Sequence, residues 1–328
     1  KYHKMKIDKN FVKKTNKEKL MDRYKPKEEF VLRIEKLIGK ADAEKFFEIA
    51  YFATPDSIRV NTLKISPEDL KKRLENYGWK IKQPFLEFPE VFIVDKESNL
   101  KPGELGKTFE HLLGYYYVQE ISSMLPILAL KPQPGDLFLD LCASPGSKTT
   151  QAAAMMNNQG TIIANEVNLG RIRILNANLE KCGVMNVMVT RKDGVQFCHR
   201  WENEIKMKFD KILVDAPCSG EGTLRKSPRT FDMWNLSFIK SLSRIQRKMA
   251  GEALKLLKVG GEMIYSTCTL APEEDEMVVN YLKQNFDIEI MKVDLPLKLR
   301  DGITEWEGER FSEEVKNCRR LYPQDNNT

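Results

Sequence analysis

The 328-residue chain is poor in histidine, with three, and its six cysteines (Cys142, Cys182, Cys198, Cys218, Cys268 and Cys318) form no CxxC pair. Structural zinc is therefore not expected, and no metal site is. No apolar run approaches the about 20 residues that a membrane helix needs. The lysine-rich N-terminus lacks the apolar stretch of a secretory signal. These absences point to a cytoplasmic protein with free thiols and no membrane partner. GxGxxG and P-loop turns are also missing, and there is no internal repeat. The chain begins with Lys1 rather than methionine, as a fragment would.

With 41% hydrophobic residues, the composition is that of a globular protein with room for two domains. The net charge of +6 is unevenly spread. Residues 1–40 hold 14 Lys/Arg against 6 Asp/Glu, which leaves the rest near neutral. A basic arm over residues 1–24 on a near-neutral body suits a polyanionic partner, or else a solubilising tail.

Apolar spacing predicts helix between Glu28 and Tyr51. Ser57–Asn61 alternates like a strand. Pro67–Tyr77 is predicted helical, with Ser66 as its cap and Gly78 ending it. Strand-like pieces follow at Trp79–Ile81 and Val91–Val94. Together these describe a small α+β unit over residues 25–114.

From residue 115 to 328 a second unit is expected, and from about Lys131 strands and helices alternate. Strands are predicted at Leu137–Leu141, Thr161–Ala164, Val187–Val189, Phe209–Asp215 and Glu262–Ser266. Helices are predicted at Ser147–Met156, Asn168–Cys182, Phe238–Leu257 and Pro272–Gln284. This order specifies an α/β unit with a parallel sheet, helices on both faces and all strand C-termini along one edge.

Candidate functional residues sit just past those strand ends. The first strand runs through Asp140 and Leu141 into Cys142-Ala143-Ser144-Pro145-Gly146-Ser147-Lys148. Such a turn opening a helix can hold a polar ligand on free N–H groups, or be only a helix start. Glu166 ends the second strand, where an acidic side chain commonly accepts a ribose diol. Asp193 follows the third, suited to an adenine amino group or to starting a turn.

The fourth strand ends in Asp215-Ala216-Pro217-Cys218 and the fifth in Ser266-Thr267-Cys268. These strands are expected to be neighbours, so two thiols would face one cleft. A lone cysteine is usually a small buried hydrophobe, but a pair at adjacent strand ends suggests thiol chemistry. Methylation of cytosine carbon 5 needs this equipment, because that carbon is too weak a nucleophile alone. A thiolate adds to carbon 6, carbon 5 attacks a sulfonium methyl, and a base then removes the carbon 5 proton. Asp215 would serve as the acid near the ring nitrogen. An ordinary thiol is only about 3% ionised at pH 7, a deficit of roughly 2 kcal/mol. Lys148 is the nearest cation expected to offset it.

These segments, with Gln119-Glu120-Ile121-Ser122-Ser123 ahead of the first strand, resemble the Nol/Nop/Sun-domain family of RNA cytosine-5 methyltransferases. The similarity runs from about Thr54 to the C-terminus and is greatest to archaeal tRNA enzymes. It implies a class I (Rossmann-like) methyltransferase fold behind an RRM-like RNA-binding domain, with S-adenosyl-L-methionine as cofactor. It implies that Cys142–Lys148 form the cofactor loop, with Glu166, Arg171, Asp193, Asp215 and Pro217 as further contacts. Cys268 would be the nucleophile, and Cys218 would assist product release.

The implied partner is RNA, with tRNA ahead of rRNA, and the protein is expected to be monomeric. Arg225, Lys226, Arg229, Arg244, Arg247 and Lys248 are candidate RNA contacts, or a solvated loop and helix face. The chain ends at Thr328, before the Phe-Phe-rich strand usual in the family, so that strand is expected to be missing. Two other readings remain open. In a DNA-type enzyme Cys218, of the Pro217-Cys218 pair, would be the nucleophile. A non-catalytic RNA-binding assembly factor would bind without methyl transfer.

Overall fold

A computed structural model describes residues 23–95, 97–98 and 103–327. The basic arm, but for its last two residues, lies outside the described residues. Two helices come first, α1 (Glu28–Ile38) and α2 (Lys40–Ile49), separated at Gly39, whose φ is +82°. Strand β1 (Asp56–Val60) leads to α3 (Pro67–Asn76), with Ser66 accepting a cap bond from the Asp69 amide as expected. β2 (Ile81–Lys82), β3 (Val91–Val94) and β4 (Tyr116–Val118) complete an antiparallel sheet of order β2-β3-β1-β4. One helical turn, Phe109–Leu112, stands between β3 and β4. The βαββαβ order of a split βαβ unit, the plan of an RRM, is therefore present. β4 lies beyond the boundary expected at residue 114.

α4 (Ile121–Leu130) then enters the second unit. Its elements are β5 (Leu137–Asp140), α5 (Ser147–Met155), β6 (Thr161–Asn165), α6 (Leu169–Cys182), β7 (Val187–Thr190) and α7 (Gly194–Arg200). β8 (Phe209–Asp215), α8 (Leu236–Leu254), β9 (Leu257–Ser266) and α9 (Glu276–Asn285) follow. The five strands are all parallel, in the order β7-β6-β5-β8-β9. Among the described residues the sheet ends at β9.

Strand side chains alternate between two cores. Leu139, Ile163, Ile212 and Val214 pack under α7 and α8, with Phe197, Trp201 and Met249. Phe138, Ile162 and Leu213 pack under α4 and α5, with Ile127, Leu130 and Ala152. Burial on both faces explains why these strands are nearly continuous apolar runs. The strand order reverses at β5, so a crevice opens past the C-termini of β5 and β8, where Asp140 and Asp215 stand.

Two sequence expectations need correction, and one packing relationship was not read at all. The long helix stops at Leu254 rather than Leu257, because β9 already begins at Leu257. Its extra residues, around Gly260 with φ +76°, form an irregularity between Phe209 and Lys211, and regular pairing starts at Glu262. The last helix begins at Glu276, since Pro272–Asp275 form a turn. Helices α1 and α2 do not cover the N-terminal sheet. Their Phe30, Ile34 and Phe46 pack with Leu224, Phe231, Trp234 and Tyr322 of the second unit.

The N-terminal sheet is itself sandwiched. Ile58, Val60, Phe92 and Val94 pack on Leu70 and Leu74 of α3. On the opposite face, Val91 and Ile93 pack on Ile121, Met124 and Leu128 of α4 and on Leu295, Leu297 and Leu321. That second face is where an RRM stacks bases on aromatic side chains. Here it is used up as an internal interface.

Candidate active site

The loop between β5 and α5 is shaped by Gly146. Its φ is +99°, and a Cβ there would stand 2.9 Å from Leu175 Cδ1. Only glycine suits both the backbone and the space. Asp140, ending β5, is buried; Thr149 Oγ1 donates to its Oδ2 at 2.7 Å, while its Oδ1 has no partner. Burial, against the Thr149 bond, pushes this carboxyl up to about 7. Cys142 is pushed far above the ordinary thiol value by burial, and its sulfur lies 3.6 Å from Met249 Sδ. It is a packed thiol rather than a reactive one.

The loop is tied down from two sides. Arg171 Nη2 donates to Ser144 O at 2.5 Å, and Ser144 Oγ donates to Arg171 O at 2.8 Å. Arg171 Nη1 also pairs with Glu166 Oε2 at 3.2 Å, while Asn168 N donates to Glu166 Oε1 at 2.9 Å. Arg59 of β1 reaches in from the N-terminal unit. It donates to Ser147 O at 2.7 Å, to Thr150 Oγ1 at 2.8 Å and to Gln119 Oε1. Arg59 is 2% exposed, and burial lowers its guanidinium to about 10.

An open cleft of about 340 Å³ is lined by Cys142–Pro145, Ser147, Lys148, Asp140 and Asp215. The N-terminal unit and the segment after it contribute Tyr117, Val118, Gln119, Glu120 and Ser123. Glu166 and Asp193 do not line this cleft. Asp193 is exposed at the next strand end, and its Oδ1 caps α7 by accepting from the Val195 and Gln196 amides. Asn165 was not singled out by sequence. Its Nδ2 donates to Leu141 O and Lys192 O, and its Oδ1 accepts from Thr190 Oγ1, joining the ends of β5, β6 and β7.

Cys218 Sγ and Cys268 Sγ stand 2.9 Å apart, and the Cys268 amide donates to Cys218 Sγ at 3.2 Å. The neighbouring strands β8 and β9 bring them together, with Asp215 opposite Ser266 in register. A hydrogen bond from Cys218 lowers the Cys268 thiol below its ordinary value, against burial and the Asp215 charge. The same bond, with burial, raises Cys218 well above it. Lys148 was expected as the nearest cation to aid the nucleophile, and its charge does lower Cys268. Its ammonium also pairs with Asp215 Oδ2 at 2.6 Å, and it lowers Cys268 less than the Cys218 hydrogen bond does. Ser266 Oγ donates to the other Asp215 oxygen at 2.8 Å.

Sequence reading also missed the acidic run Glu273–Glu276, which looks solvated and is not. Arg33 bonds Glu273, Arg320 Nε donates to Glu276 Oε1 at 2.6 Å, and Thr267 Oγ1 donates to Asp275 Oδ1 at 2.6 Å. Of the expected RNA-facing cations, Arg229, Arg244 and Lys248 are exposed. Lys226 pairs with Glu120 at 3.2 Å. Arg225 instead holds the Phe52 and Ala53 carbonyls, and Arg247 stacks over Tyr281 at 6.0 Å.

Among the described residues no group of side chains is arranged to hold a metal, and no helix is long and apolar enough to cross a membrane.

Comparison with known proteins agrees with this geometry. Residues 127–328 match the family described as 16S rRNA methyltransferase RsmB/F, and residues 27–121 match the N-terminal domain of 16S rRNA methyltransferase RsmF. A tRNA (cytosine(49)-C(5))-methyltransferase of Pyrococcus abyssi is 40% identical over 92% of this chain and 95% of that protein. Ribosomal RNA small subunit methyltransferase F of Vibrio cholerae is 45% identical over 70% of this chain but only 48% of that protein. A solved methyltransferase homolog from Pyrococcus horikoshii superposes with TM-score 0.80 at 35% identity, covering 95% of each chain. The fold is thus the class I, Rossmann-like fold of S-adenosylmethionine-dependent methyltransferases with an RRM-like unit before it, and the chain belongs to the RsmB/F family of RNA methyltransferases.

Proposed function

We propose that this chain methylates carbon 5 of cytosine in tRNA, with S-adenosyl-L-methionine as donor and a covalent Cys268–cytosine intermediate. The observation that carries this reading is the Cys218–Cys268 pair beside Asp215 and Lys148, with Cys268 as the more exposed thiol. tRNA is preferred to rRNA because the tRNA-modifying relative matches nearly end to end.

The residues present fit the cofactor. The Gly146 turn leaves no room for a side chain, the Asp140 carboxyl has an unused oxygen, and about 340 Å³ lies within the range of small-molecule sites. Cys142–Lys148 would hold its amino-acid end, Glu166 with Arg171 its ribose, and Asp193 its adenine, with Pro217 beside it. When bound it supplies an electrophilic methyl group on a sulfonium.

The protein's own groups supply the rest. Cys268 thiolate adds to carbon 6 of a cytosine drawn out of its stack. The Lys148–Asp215 pair offers a proton and a polar partner to the ring nitrogen, so carbon 5 becomes nucleophilic. Once Cys268 is bonded to carbon 6, the hydrogen bond that keeps the proton on Cys218 is lost; Cys218 gives that proton up to water and, after methyl transfer, takes the carbon 5 proton as thiolate. The electron pair of that C–H bond re-forms the ring double bond and expels Cys268 as thiolate.

Cys268 is the exposed thiol of the pair and Cys218 the more enclosed one, which favours this assignment over the DNA-type one, in which Cys218 attacks. The deciding experiment combines methyl-labelled donor with separated tRNA and small-subunit rRNA, followed by mapping. Label as 5-methylcytosine in tRNA is expected. Label in rRNA alone reassigns the substrate, and label in neither removes the activity.

A further inference from the structure

Cys218 is held by two buried side chains that the reaction scheme does not use. Gln246 of α8 donates from Nε2 to Pro217 O at 2.9 Å and to Glu274 Oε2 at 2.8 Å. Glu274, in the turn before α9, accepts at the same Oε2 from the Ser219 amide at 3.0 Å. The carbonyl before Cys218 and the N–H after it are therefore gripped by one linked pair. Gln246 and Glu274 are both fully buried.

The pair is expensive as a purely structural device. Gln246 Oε1 and Glu274 Oε1 are buried without partners. Burial also raises the Glu274 carboxyl above its ordinary range. Apolar side chains would remove those costs but leave Pro217 O and the Ser219 N–H without these partners, so the work of the pair is to hold the two peptide groups that flank Cys218. The peptide units beside Cys268 have ties of their own: the Thr269 amide donates to Thr267 Oγ1 at 3.4 Å, and Cys268 O accepts from the Gly222 amide at 2.9 Å. That segment is also linked through the Cys268 amide to Cys218 Sγ, but neither Gln246 nor Glu274 bonds to it. Ser219 Oγ and Thr269 Oγ1, at 2.7 Å, reinforce that link.

We infer that Gln246 and Glu274 are positioning residues for Cys218, and that they set the rate of carbon 5 deprotonation and product release rather than of thiolate addition. This rests on the covalent reading above. A proton acceptor must lie within hydrogen-bond reach of the proton, and a shift near 1 Å costs orders of magnitude. Cys268 adds to carbon 6 before Cys218 is called on, so loosening the grip leaves the first covalent step in place and slows the last.

The test uses Gln246→Met, Glu274→Leu and Glu274→Gln with labelled donor and whichever transcript, unmodified tRNA or small-subunit rRNA, the native chain methylates. Cys218→Ala and Cys268→Ala serve as controls. The readouts are the denaturant-stable protein–RNA adduct, turnover, donor affinity and thermal unfolding. Gln246→Met and Glu274→Leu are expected to turn over about tenfold more slowly while accumulating adduct as Cys218→Ala does, with donor affinity unchanged. Glu274→Gln keeps an acceptor for the Ser219 amide and is expected to retain most of the turnover. Combining Gln246→Met with Cys218→Ala should add nothing.

If Cys218→Ala accumulates adduct and folded Gln246→Met does not, the inference is overturned and the covalent scheme stands. If Cys218→Ala accumulates none, or Cys268→Ala still forms it, the scheme fails and takes the inference with it. A general loss of folding or donor binding in Gln246→Met, unrelieved in Glu274→Gln, assigns the pair a structural role and also overturns it.

Discussion

The Lys148 ammonium lies 2.6 Å from Asp215 Oδ2, so the cation expected to serve the nucleophile first neutralises the carboxylate that opposes it. Lys148→Met leaves the Asp215 charge alone to raise Cys268. Methylation at neutral pH is expected to fall about 100-fold. The pH midpoint of Cys268 alkylation by iodoacetamide should rise, and Asp215→Asn in the same background should bring it back down. Mass-spectrometric alkylation rates across pH check this.

Cys218 is the largest influence lowering Cys268. Cys218→Ala removes that hydrogen bond, so the Cys268 alkylation midpoint should move up toward an ordinary thiol, about 8.5. The rise should exceed that caused by Lys148→Met. An equal or smaller rise would reverse the order of the two influences.

Asp140 makes stability depend on pH. Its folded pKa is raised to about 7 by burial, so between about pH 4 and 7 the folded state holds a proton that the unfolded state has lost. Stability from this group is complete below the lower value and is lost as pH rises through the upper one, by at most about 4 kcal/mol. Asp140→Asn keeps an acceptor for Thr149 but cannot ionise. Its urea midpoint relative to the native chain should be higher at pH 8 than at pH 5.

Arg59 carries the load between the two units at the cofactor loop. Arg59→Met leaves Gln119 Oε1 without its donor and takes one bond each from Ser147 O and Thr150 Oγ1, which keep their bond to each other, and is expected to cost about 3 kcal/mol. Donor affinity, read by calorimetry, should fall with it. Arg59→Lys restores the charge but not the fork, so it should recover only part of the loss.

Cys218 and Cys268 were readable from sequence because an open parallel sheet brings strand ends to one edge, whatever lies between them. Asp140, Gly146 and Asp215 followed from the same rule. Glu273–Glu276 could not be read, because Arg33 lies 240 residues from its partner Glu273, and local charge says nothing about so distant a contact. The spacing in α1 and α2 announced an apolar face but not which core would receive it. Arg59 alternates with buried Ile58 and Val60, a pattern that local sequence cannot distinguish from a strand with one solvent face; the sheet has no solvent face there.

That doubly covered sheet has a bearing on engineering. The N-terminal unit is not a detachable reader that can be swapped to redirect the enzyme. A graft onto another catalytic half must bring a matching α4 surface and a receiver for Arg59, or the cofactor loop loses its brace. Retargeting therefore belongs on the rims and connecting loops, where changes leave that joint intact.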